Sequence, residues 1–157
     1  MAEQHIGGFR EAVDSVAREL KYLAMIEAPP HHQMRKFVLE SMAAGAAQFV
    51  ALADETVVGW CDVFPKPRAT LKHSGTLGMG IIERYRGRGI GAELMRATLQ
   101  AAKARGLTRI ELTVRADNQR AKRLYEKFGF VTEGLCRRHM LVAGEYHDSY
   151  LMALLYD

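Results

Sequence analysis

The chain has 157 residues, a length that suits one domain and leaves little room for a second, so we expect a single domain spanning residues 1–157. With 48% hydrophobic and 25% charged residues, the composition excludes an intrinsically disordered chain and a polytopic membrane protein. No apolar run approaches the roughly 18 residues that cross a bilayer, and the start of the chain lacks a signal-like apolar stretch. We therefore expect a cytoplasmic protein that acts without a membrane.

The two cysteines, Cys61 and Cys136, lie in unrelated segments without CxxC or Cys/His spacing. This pattern predicts neither a disulfide framework nor a metal site. We expect both residues to be buried thiols and expect no metal in the protein.

The positive charge is unevenly distributed along the chain. The formal net charge is +4, but the segment from Arg84 to Lys127 holds twelve basic and four acidic residues. The rest of the chain is therefore acidic on balance. A basic segment of this kind indicates a polyanionic partner, either nucleic acid or a phosphorylated cofactor, unless it is only a solvated helix face.

Helical patterns come first. Apolar residues recur at helical spacing over residues 9–20, and Pro29 and Pro30 then interrupt the pattern. A second helix is predicted over residues 34–42, with Gly45 as its stop.

Strand patterns follow the two helices. Residues 48–53 and 56–64 are β-rich runs separated by two acidic residues, which predicts a hairpin. After a proline-containing loop, residues 76–82 are predicted to form a central strand. Gly78 and Gly80 in this strand would tolerate a bulge or the close approach of another group.

A glycine-rich segment follows the central strand. Residues 85–91 read Tyr-Arg-Gly-Arg-Gly-Ile-Gly and precede a predicted amphipathic helix. Glycines let the backbone fold closely around an anion, and unpaired N–H groups at a helix start attract phosphate. A P-loop would end in Gly-Lys-Ser/Thr, and a dinucleotide fingerprint would have a glycine where Leu94 stands. Neither alternative fits well, and the segment predicts a phosphate-binding loop of another kind.

A second motif follows a predicted strand at residues 109–115. It has the form Asn-x-x-Ala-x-x-Leu-Tyr-x-x-x-Gly-Phe, and its fixed positions are Asn118, Ala121, Leu124, Tyr125, Gly129 and Phe130. The glycine-rich segment contributes Arg-x-x-Gly-x-Gly, with Arg86, Gly89 and Gly91 as its fixed positions. Together these motifs resemble the two hallmark motifs of the GNAT superfamily of N-acetyltransferases.

The resemblance implies a fold. We expect a single α/β domain with a mixed, mostly antiparallel central sheet flanked by helices, in which two parallel strands splay apart to bind CoA. Members of the superfamily usually open with a strand, whereas few residues precede the first helical pattern here. The N-terminal edge strand is therefore expected to be short or missing. Relatives often form homodimers, so a homodimer is one possible assembly. The sequence does not identify an interface for it.

The resemblance also implies acetyl-CoA as the acetyl donor. Backbone N–H groups from Arg88 to Gly91 are expected to hold the pyrophosphate, and nearby basic side chains the 3′-phosphate. The pantetheine arm is expected to run along the central strand like an added strand. The expected cofactor-binding residues are Leu77, Gly78, Met79, Gly80, Ile81, Arg86, Gly87, Arg88, Gly89, Ile90, Gly91 and Asn118.

The implied reaction is direct attack of a primary amine of a small molecule or peptide on the thioester, in a ternary complex. The departing thiolate needs a proton, and the resemblance assigns this acid to Tyr125, although its helical stripe also suits a core tyrosine. Asn118 has a similar alternative as a helix N-cap. The general base that removes the proton of the amine is not evident among the three candidates His73, Glu111 and Glu27. We assign this role to His73, because histidine ordinarily titrates near pH 6.5.

The acceptor cannot be identified from the sequence. Three acidic residues would suit a cationic amine and three aromatic residues would line an apolar pocket, unless they are only surface or core groups. These residues are Glu27, Asp62, Asp148, Trp60, Tyr146 and Tyr150.

Two other functional classes compete with an enzyme. A catalytically idle relative would bind acyl-CoA as a sensor or scaffold without turning over any amine, and the presence of Tyr125 argues against it. A nucleic-acid-binding module would interleave aromatic with basic residues or offer a recognition helix, which the basic segment does not. We therefore expect no nucleic-acid partner.

Overall fold

The computed structural model describes all 157 residues. In chain order its helices and strands are α1 (Ile6–Ala17), α2 (His31–Ala43), β1 (Ala47–Ala53), β2 (Thr56–Pro65), β3 (Ser74–Ile81), α3 (Ile90–Ala104), β4 (Arg109–Arg115), α4 (Gln119–Lys127), β5 (Val131–Val142) and β6 (Glu145–Leu155). Short 3₁₀ turns occupy Glu3–His5, Ala69–Leu71 and Glu83–Tyr85. None of the helices is long and apolar enough to cross a bilayer.

The six strands form one open sheet in the order β1-β2-β3-β4-β6-β5. Only β3 and β4 run parallel, and every other neighbouring pair is antiparallel. The mixed, mostly antiparallel sheet predicted from the sequence is therefore confirmed. No strand precedes α1, so β1 is one edge of the sheet and β5 is the other.

Helices cover both faces of the sheet and create two apolar cores. On one face α1 and α2 pack on β2, where the Phe9 ring meets the Trp60 ring edge-on at 5.8 Å between centroids. On the other face α3 and α4 enclose the larger core, in which Met95, Ile110 and Met152 are fully buried. Burial of these apolar faces is the main stabilising contribution to the fold.

The first helix is shorter than its apolar pattern suggests. It ends at Ala17, and the chain turns through Leu20, which has a left-handed φ of +56°. The second helix also departs from its predicted apolar face, because Phe37 and Met42 remain partly exposed while Met34 and Val38 are buried. The Phe37 ring packs instead on the Phe64 ring of β2, with 5.0 Å between centroids.

The predicted stop and hairpin are confirmed. Gly45 follows α2 with φ +66°, a conformation that favours glycine. The two-residue turn between β1 and β2 has φ +46° at Asp54 and +65° at Glu55, which matches the twist of an antiparallel hairpin.

The two cysteines differ in burial. Cys61 on β2 is fully buried, and burial raises the pKa of its thiol to about 12. Cys136 lies on the edge strand β5 and is only partly buried. The expectation of two buried thiols was therefore wrong for Cys136, because β5 has a neighbouring strand on one side only.

The glycines of β3 are explained by side chains of β2. A Cβ at Gly80 would lie 2.3 Å from the Trp60 ring, and a Cβ at Gly78 would lie 3.0 Å from the Asp62 carboxyl oxygen. The expected close approach to these glycines is therefore observed. The approaching groups are the Trp60 and Asp62 side chains, on the face of the sheet that α1 and α2 cover.

Asp62 is not a surface group that could attract a cationic acceptor. It is buried on β2 opposite Gly78, and its neighbour across β1 is Gln48, whose buried amide makes no hydrogen bond. Burial raises the pKa of the Asp62 carboxyl to about 7, although the Gly78 backbone and the nearby Gln48 side chain oppose this shift. The acid therefore titrates near neutral pH inside the fold.

We expect Asp62→Asn to stabilise the protein at alkaline pH. The unfolded state loses the Asp62 proton near pH 4 and the folded state only near pH 7, so the parent loses stability as pH rises between these values. At pH 8 the free energy of unfolding of the variant should exceed that of the parent by at most about 4 kcal/mol. Urea unfolding at pH 4.5, 6 and 8 measures this difference, and a difference that does not change with pH would contradict the raised pKa of Asp62.

Candidate active site

The parallel pairing of β3 and β4 ends early. Its register contains three residue pairs, the last of which joins Thr76 to Glu111. Beyond this pair β3 continues to Ile81 and β4 to Arg115 without pairing to each other. Residues 77–81, all predicted to bind a cofactor, therefore have strand partners on the β2 side only.

The glycine-rich loop presents a run of unpaired backbone donors. The N–H groups of residues 87–91 donate no hydrogen bond within the protein. Gly87 and Gly89 have φ of +77° and +83°, and Gly89 is the N-cap of α3. Successive N–H groups at the positive end of a helix form a binding site for an anion such as a phosphate.

Basic side chains surround this loop. Arg88 and Arg84 lie over the Tyr85 ring, 5.0 and 5.1 Å from its centroid. The Arg120 guanidinium approaches from α4 and would lie 3.0 Å from a Cβ at Gly87. These cations add to the field of the helix dipole, so the loop favours a polyanion more strongly than the backbone alone would.

Gly91 joins the loop to the core. A Cβ at this position would lie 3.2 Å from Leu124 of α4 and 3.3 Å from Ile81 of β3. The start of α3 therefore packs directly against α4 and the end of β3. Ile90 is partly buried beside it, against the larger core.

Tyr125 of α4 lies in the larger core and packs against Phe130 at 5.9 Å between ring centroids. Burial raises the pKa of its hydroxyl well above the ordinary tyrosine value. The hydroxyl makes no hydrogen bond to the protein. Tyr125 is therefore both a core residue and a protonated donor at neutral pH, so the two alternatives posed by the sequence do not exclude each other.

Asn118 caps α4. Its side-chain oxygen accepts a hydrogen bond from the Ala121 N–H at 3.2 Å. The N-cap alternative is therefore observed, and the amide nitrogen of Asn118 is the part left for another partner.

The structure does not bring the candidate bases together at this site. His73 is exposed just before β3, at the end of the strand opposite the glycine-rich loop. Glu111 is held between Lys66 and Arg109, and the Lys66 ammonium is the main cause of its lowered carboxyl pKa. Glu27 is exposed and pairs with Arg18 at 3.3 Å.

Arg86 fastens the segment between α1 and α2, residues 18–30, to the glycine-rich loop. Its terminal nitrogens lie 2.9 and 2.5 Å from the two Glu19 carboxylate oxygens, and its Nε donates to the Ile81 carbonyl at 2.8 Å. Its guanidinium also covers the Tyr22 ring at 4.7 Å. The Arg86 side chain is therefore engaged within the protein, and its backbone N–H also donates to the Glu83 carbonyl, at 3.1 Å.

Arg115 fastens the same segment to the end of β4. One terminal nitrogen donates to the Leu20 carbonyl at 3.0 Å, while the rest of the guanidinium pairs with Asp117. The α1–α2 segment is thus attached at the ends of both strands, β3 and β4, that separate.

A cavity of about 290 Å³ lies between the α1–α2 segment and β5. Eight of its nine lining residues are hydrophobic in type, and backbone groups and His139 make the lining partly polar. The lining residues are Leu20, Leu23, Ala24, Met25, Ile26, His139, Met140, Leu141 and Val142. Because Arg115 holds Leu20, this cavity lies beside the open end of β4.

His139 was missed by the sequence analysis. The β5/β6 register is irregular between Cys136 and Met140, where Arg138 has φ +52° and its N–H donates to the Asp148 carboxylate at 2.7 Å. After this bulge, His139 Nδ1 lies 3.0 Å from Oγ of the buried Ser149. The only sequence signal was a histidine beside an apolar run, and no motif singles it out.

Comparison with known proteins identifies the family. The sequence profile described as Acetyltransferase (GNAT) family matches residues 16–130. The chain belongs to this GNAT family. It is 36% identical over 110 residues to the L-amino acid N-acetyltransferase AaaT of Escherichia coli (strain K12), covering 69% of this chain and 68% of that protein.

Two further GNAT comparisons extend over most of the chain. An N-alpha-acetyltransferase of Sulfurisphaera tokodaii is 34% identical over 152 residues, covering 90% of this chain and 86% of the relative. The structure of yncA from Salmonella typhimurium with its cofactor acetyl-CoA has a TM-score of 0.94 at 13% identity, covering 100% of this chain and 91% of that chain. The chain is therefore an N-acetyltransferase of GNAT fold, a family that uses acetyl-CoA.

Most of the residues suggested for acceptor binding have structural roles in this GNAT protein. Trp60 is core, and Asp148 carries the β5 bulge. Tyr146 lies under the Arg138 guanidinium at 5.0 Å, and Tyr150 packs against the larger core beneath Lys122. Trp60 and Tyr150 therefore have the packing that the alternative expects, whereas Tyr146 remains largely exposed.

We expect Glu19→Gln to loosen the α1–α2 segment. It leaves the mostly buried Arg86 guanidinium without its carboxylate. The lost ion pair should speed hydrogen exchange of the hydrogen-bonded Glu19 and Leu20 amides by roughly tenfold. Glu27→Gln removes an exposed ion pair of the same segment and should leave exchange unchanged. Equal effects of the two variants would contradict the role of the Arg86–Glu19 pair.

Proposed function

We propose that this GNAT protein transfers the acetyl group of acetyl-CoA to a primary amine of a small molecule or peptide, by direct attack in a ternary complex. The observation that carries the proposal is the run of unpaired N–H groups at residues 87–91, next to the strand edge that β4 leaves unpaired. The N–H groups suit a pyrophosphate, and the unpaired strand edge suits an extended chain with amide groups. Acetyl-CoA contains both of these groups.

The chain's own groups fit this cosubstrate. The N–H groups of residues 87–91 would hold the pyrophosphate at the start of α3, with Arg88 and Arg120 supplying positive charge beside it. The backbone of residues 77–81 would pair with the amides of the pantetheine arm as an added strand does. Acetyl-CoA supplies the activated acyl thioester, and the protein supplies orientation and proton transfer.

The acceptor amine must lose a proton to attack. An alkylamine with a pKa of roughly 10.4 is free base to only about one part in two thousand at pH 7, which corresponds to about 4.6 kcal/mol of barrier. After the ammonium group has released a proton to water, the amine nitrogen forms a bond to the acetyl carbon, the carbon–sulfur bond breaks, and the sulfur leaves with the electron pair. The second proton of the attacking nitrogen also passes to water, which leaves the neutral amide.

Tyr125 supplies the group that meets this negative charge. Its hydroxyl is protonated at neutral pH, as an ordinary tyrosine is, and burial raises its pKa further. The hydroxyl would donate a hydrogen bond to the developing thiolate and pass its proton to sulfur as the carbon–sulfur bond breaks, and water would return a proton to the tyrosinate.

We expect Gly89→Asp to abolish acetyl-CoA binding. The added carboxylate would face the pyrophosphate and should raise the dissociation constant roughly 100-fold or more, measured by calorimetry. Gly106→Asp is a matched control at the other end of α3, because both glycines have φ above +80° and open space around a Cβ. Equal loss of affinity in both variants would mean that strain, rather than the loop, is responsible.

We expect Tyr125→Phe to lower kcat by roughly 100-fold while leaving acetyl-CoA affinity nearly unchanged, because only the proton donor is lost. Thiol release measures kcat. Tyr156→Phe removes a hydroxyl from a partly buried tyrosine beside Lys103 and should have no effect. A Tyr125→Phe variant with the kcat of the parent would mean that water, rather than Tyr125, protonates the leaving thiolate. Binding of acetyl-CoA by the parent protein without turnover of any amine would favour a sensor.

A further inference from the structure

We infer that the Asp62 carboxylate accepts the second proton of the attacking amine, through one water molecule above Gly78. This inference rests on the proposed function and gives a residue to its proton transfer, which the bases suggested by the sequence leave without one. Asp62 is a buried acid on β2, and no positively charged group pairs with it.

Gly78 leaves a space beside the Asp62 carboxyl. A Cβ at Gly78 would lie 3.0 Å from a carboxyl oxygen of Asp62, and apart from the chain neighbours of Gly78 no other heavy atom lies within 4 Å of that position. At Gly80, on the same face of β3, the Trp60 ring fills the corresponding position. Gly78 is partly exposed, so a water molecule above it would contact the carboxyl oxygen.

The thioester is expected beside Gly78. The pyrophosphate would lie at residues 87–91, and the pantetheine arm would run from there along residues 77–81 toward the seam at Thr76 and Glu111. Its far end therefore reaches the part of β3 that contains Gly78. Neighbouring strands lie about 4.8 Å apart, and two successive hydrogen bonds through one water span about 5.5 Å, so one water can connect the carboxyl with an amine in the gap.

The two groups that transfer protons lie on opposite faces of the sheet. Tyr125 belongs to the larger core on the α3/α4 face, whereas Asp62 lies on the α1/α2 face. Thr113 of β4 lies on that second face, because its neighbours Leu112 and Val114 are in the larger core. It is exposed although β4 is a central strand, so an amine can reach the gap from the side of the carboxylate.

Each proton of the transfer has a donor and an acceptor. As the nitrogen bonds to the acetyl carbon, its second proton passes through the water to the Asp62 carboxylate, while Tyr125 gives its proton to the leaving sulfur. The neutral Asp62 acid then releases its proton to solvent, and water returns one to the tyrosinate. Because burial raises the pKa of the Asp62 carboxyl to about 7, the carboxylate is a stronger base than that of an exposed aspartate.

Few charged groups surround Asp62. Those on the neighbouring elements are the Met1 ammonium and Arg105, which line the same small cavity as Gln48, and Lys66 with its partner Glu111 toward the seam. The neighbouring Cys61 thiol is uncharged at neutral pH, because burial raises its pKa to about 12. The buried side chains of α1 and α2 are apolar or carry a hydroxyl. Burial and nearby amides, rather than an ion pair, therefore govern the titration of Asp62.

The pH dependence of turnover tests this role. The amine is the one of L-alaninamide, putrescine and Nα-acetyl-lysinamide that releases thiol fastest at pH 8. We expect kcat of the parent to fall about tenfold per pH unit below a midpoint near pH 7. Asp62→Asn should lower kcat at pH 8 at least 30-fold, remove this acidic limb and leave acetyl-CoA affinity within about twofold. Because the variant is expected to gain stability at pH 8, lost activity would not reflect lost folding.

Asp54→Asn is the matched control for this substitution. It makes the same change in the exposed turn between β1 and β2, and it should retain both kcat and the acidic limb. Turnover by Asp62→Asn with the kcat and the pH profile of the parent would overturn the inference and retain the proposed function.

Gly78→Ala tests the path between the carboxyl and the gap. Its methyl group would separate Asp62 from the gap, and we expect kcat to fall at least tenfold with acetyl-CoA affinity within about threefold. Gly134→Ala adds a methyl group on β5, where nothing lies within 4 Å of a Cβ, and it should change neither value. Unchanged kcat in Gly78→Ala would overturn the path.

Infrared spectra of the Asp62 carboxyl provide a readout that needs no turnover. The band of the protonated acid is the one that Asp62→Asn lacks. CoA in the gap would exclude bulk water from one side of Gly78, so it should raise the midpoint of this titration by at least about half a pH unit in the parent and not in Gly78→Ala. An unchanged midpoint in the parent would overturn the inference even if amines are acetylated. A raised midpoint without turnover of any amine would keep Asp62 at the gap and count against the proposed function, and absence of CoA binding would overturn both.

Discussion

Three residue pairs join the two halves of the sheet. β1, β2 and β3 form one antiparallel unit, β4, β6 and β5 form another, and the only strand pairing between them is the short parallel register that ends at Thr76 and Glu111. The larger core compensates for this short seam, because Cys61 and Leu77 of the first half share it with Ile110 and Met152 of the second. Side-chain packing therefore holds the halves together, and the backbone of β3 can stay unpaired beyond the seam.

The site follows from that arrangement. The glycine-rich loop begins where β3 ends, and the α1–α2 segment is held by one arginine from each half of the sheet. Movement of one half relative to the other would break either the Arg86–Glu19 pair or the Arg115–Leu20 hydrogen bond. The same two contacts thus hold the α1–α2 segment at the separated ends of β3 and β4, where this segment also lines the cavity beside β5.

The sequence predicted the parts of the fold that depend on local pattern. The glycine-rich loop and the Asn-to-Phe motif are contiguous, and the hairpin turn needs only two residues, so short windows contain the information. Arg86 illustrates where this fails: its positive charge predicted an anion ligand, but its partner Glu19 lies 67 residues away. Pairings over that distance are decided by tertiary packing, which leaves no periodic signal.

The candidate base and the cavity beside β5 were harder to predict for a related reason. The prediction for His73 rested on the chemistry of its side chain. Its ability to act as a general base also depends on which end of β3 it occupies. His139 and the cavity depend on a bulge in β5 and on a loop from the other end of the chain. Asp62 has the charged side chain that is typical of a surface residue, and it is buried because helices cover both faces of β2.

The unpaired stretch of β3 has a consequence for what can associate with this protein. An unpaired edge at the outside of a sheet can recruit a strand from another molecule and start aggregation. Here the edge lies in the interior, between β2 and β4, and neighbouring strands in a sheet lie only about 4.8 Å apart. Any chain that pairs with β3 there has to fit beside β4 as well, and the seam at Thr76 and Glu111 limits how far the two halves can move apart. This edge is therefore far less accessible to a strand of another protein than an edge at the outside of the sheet.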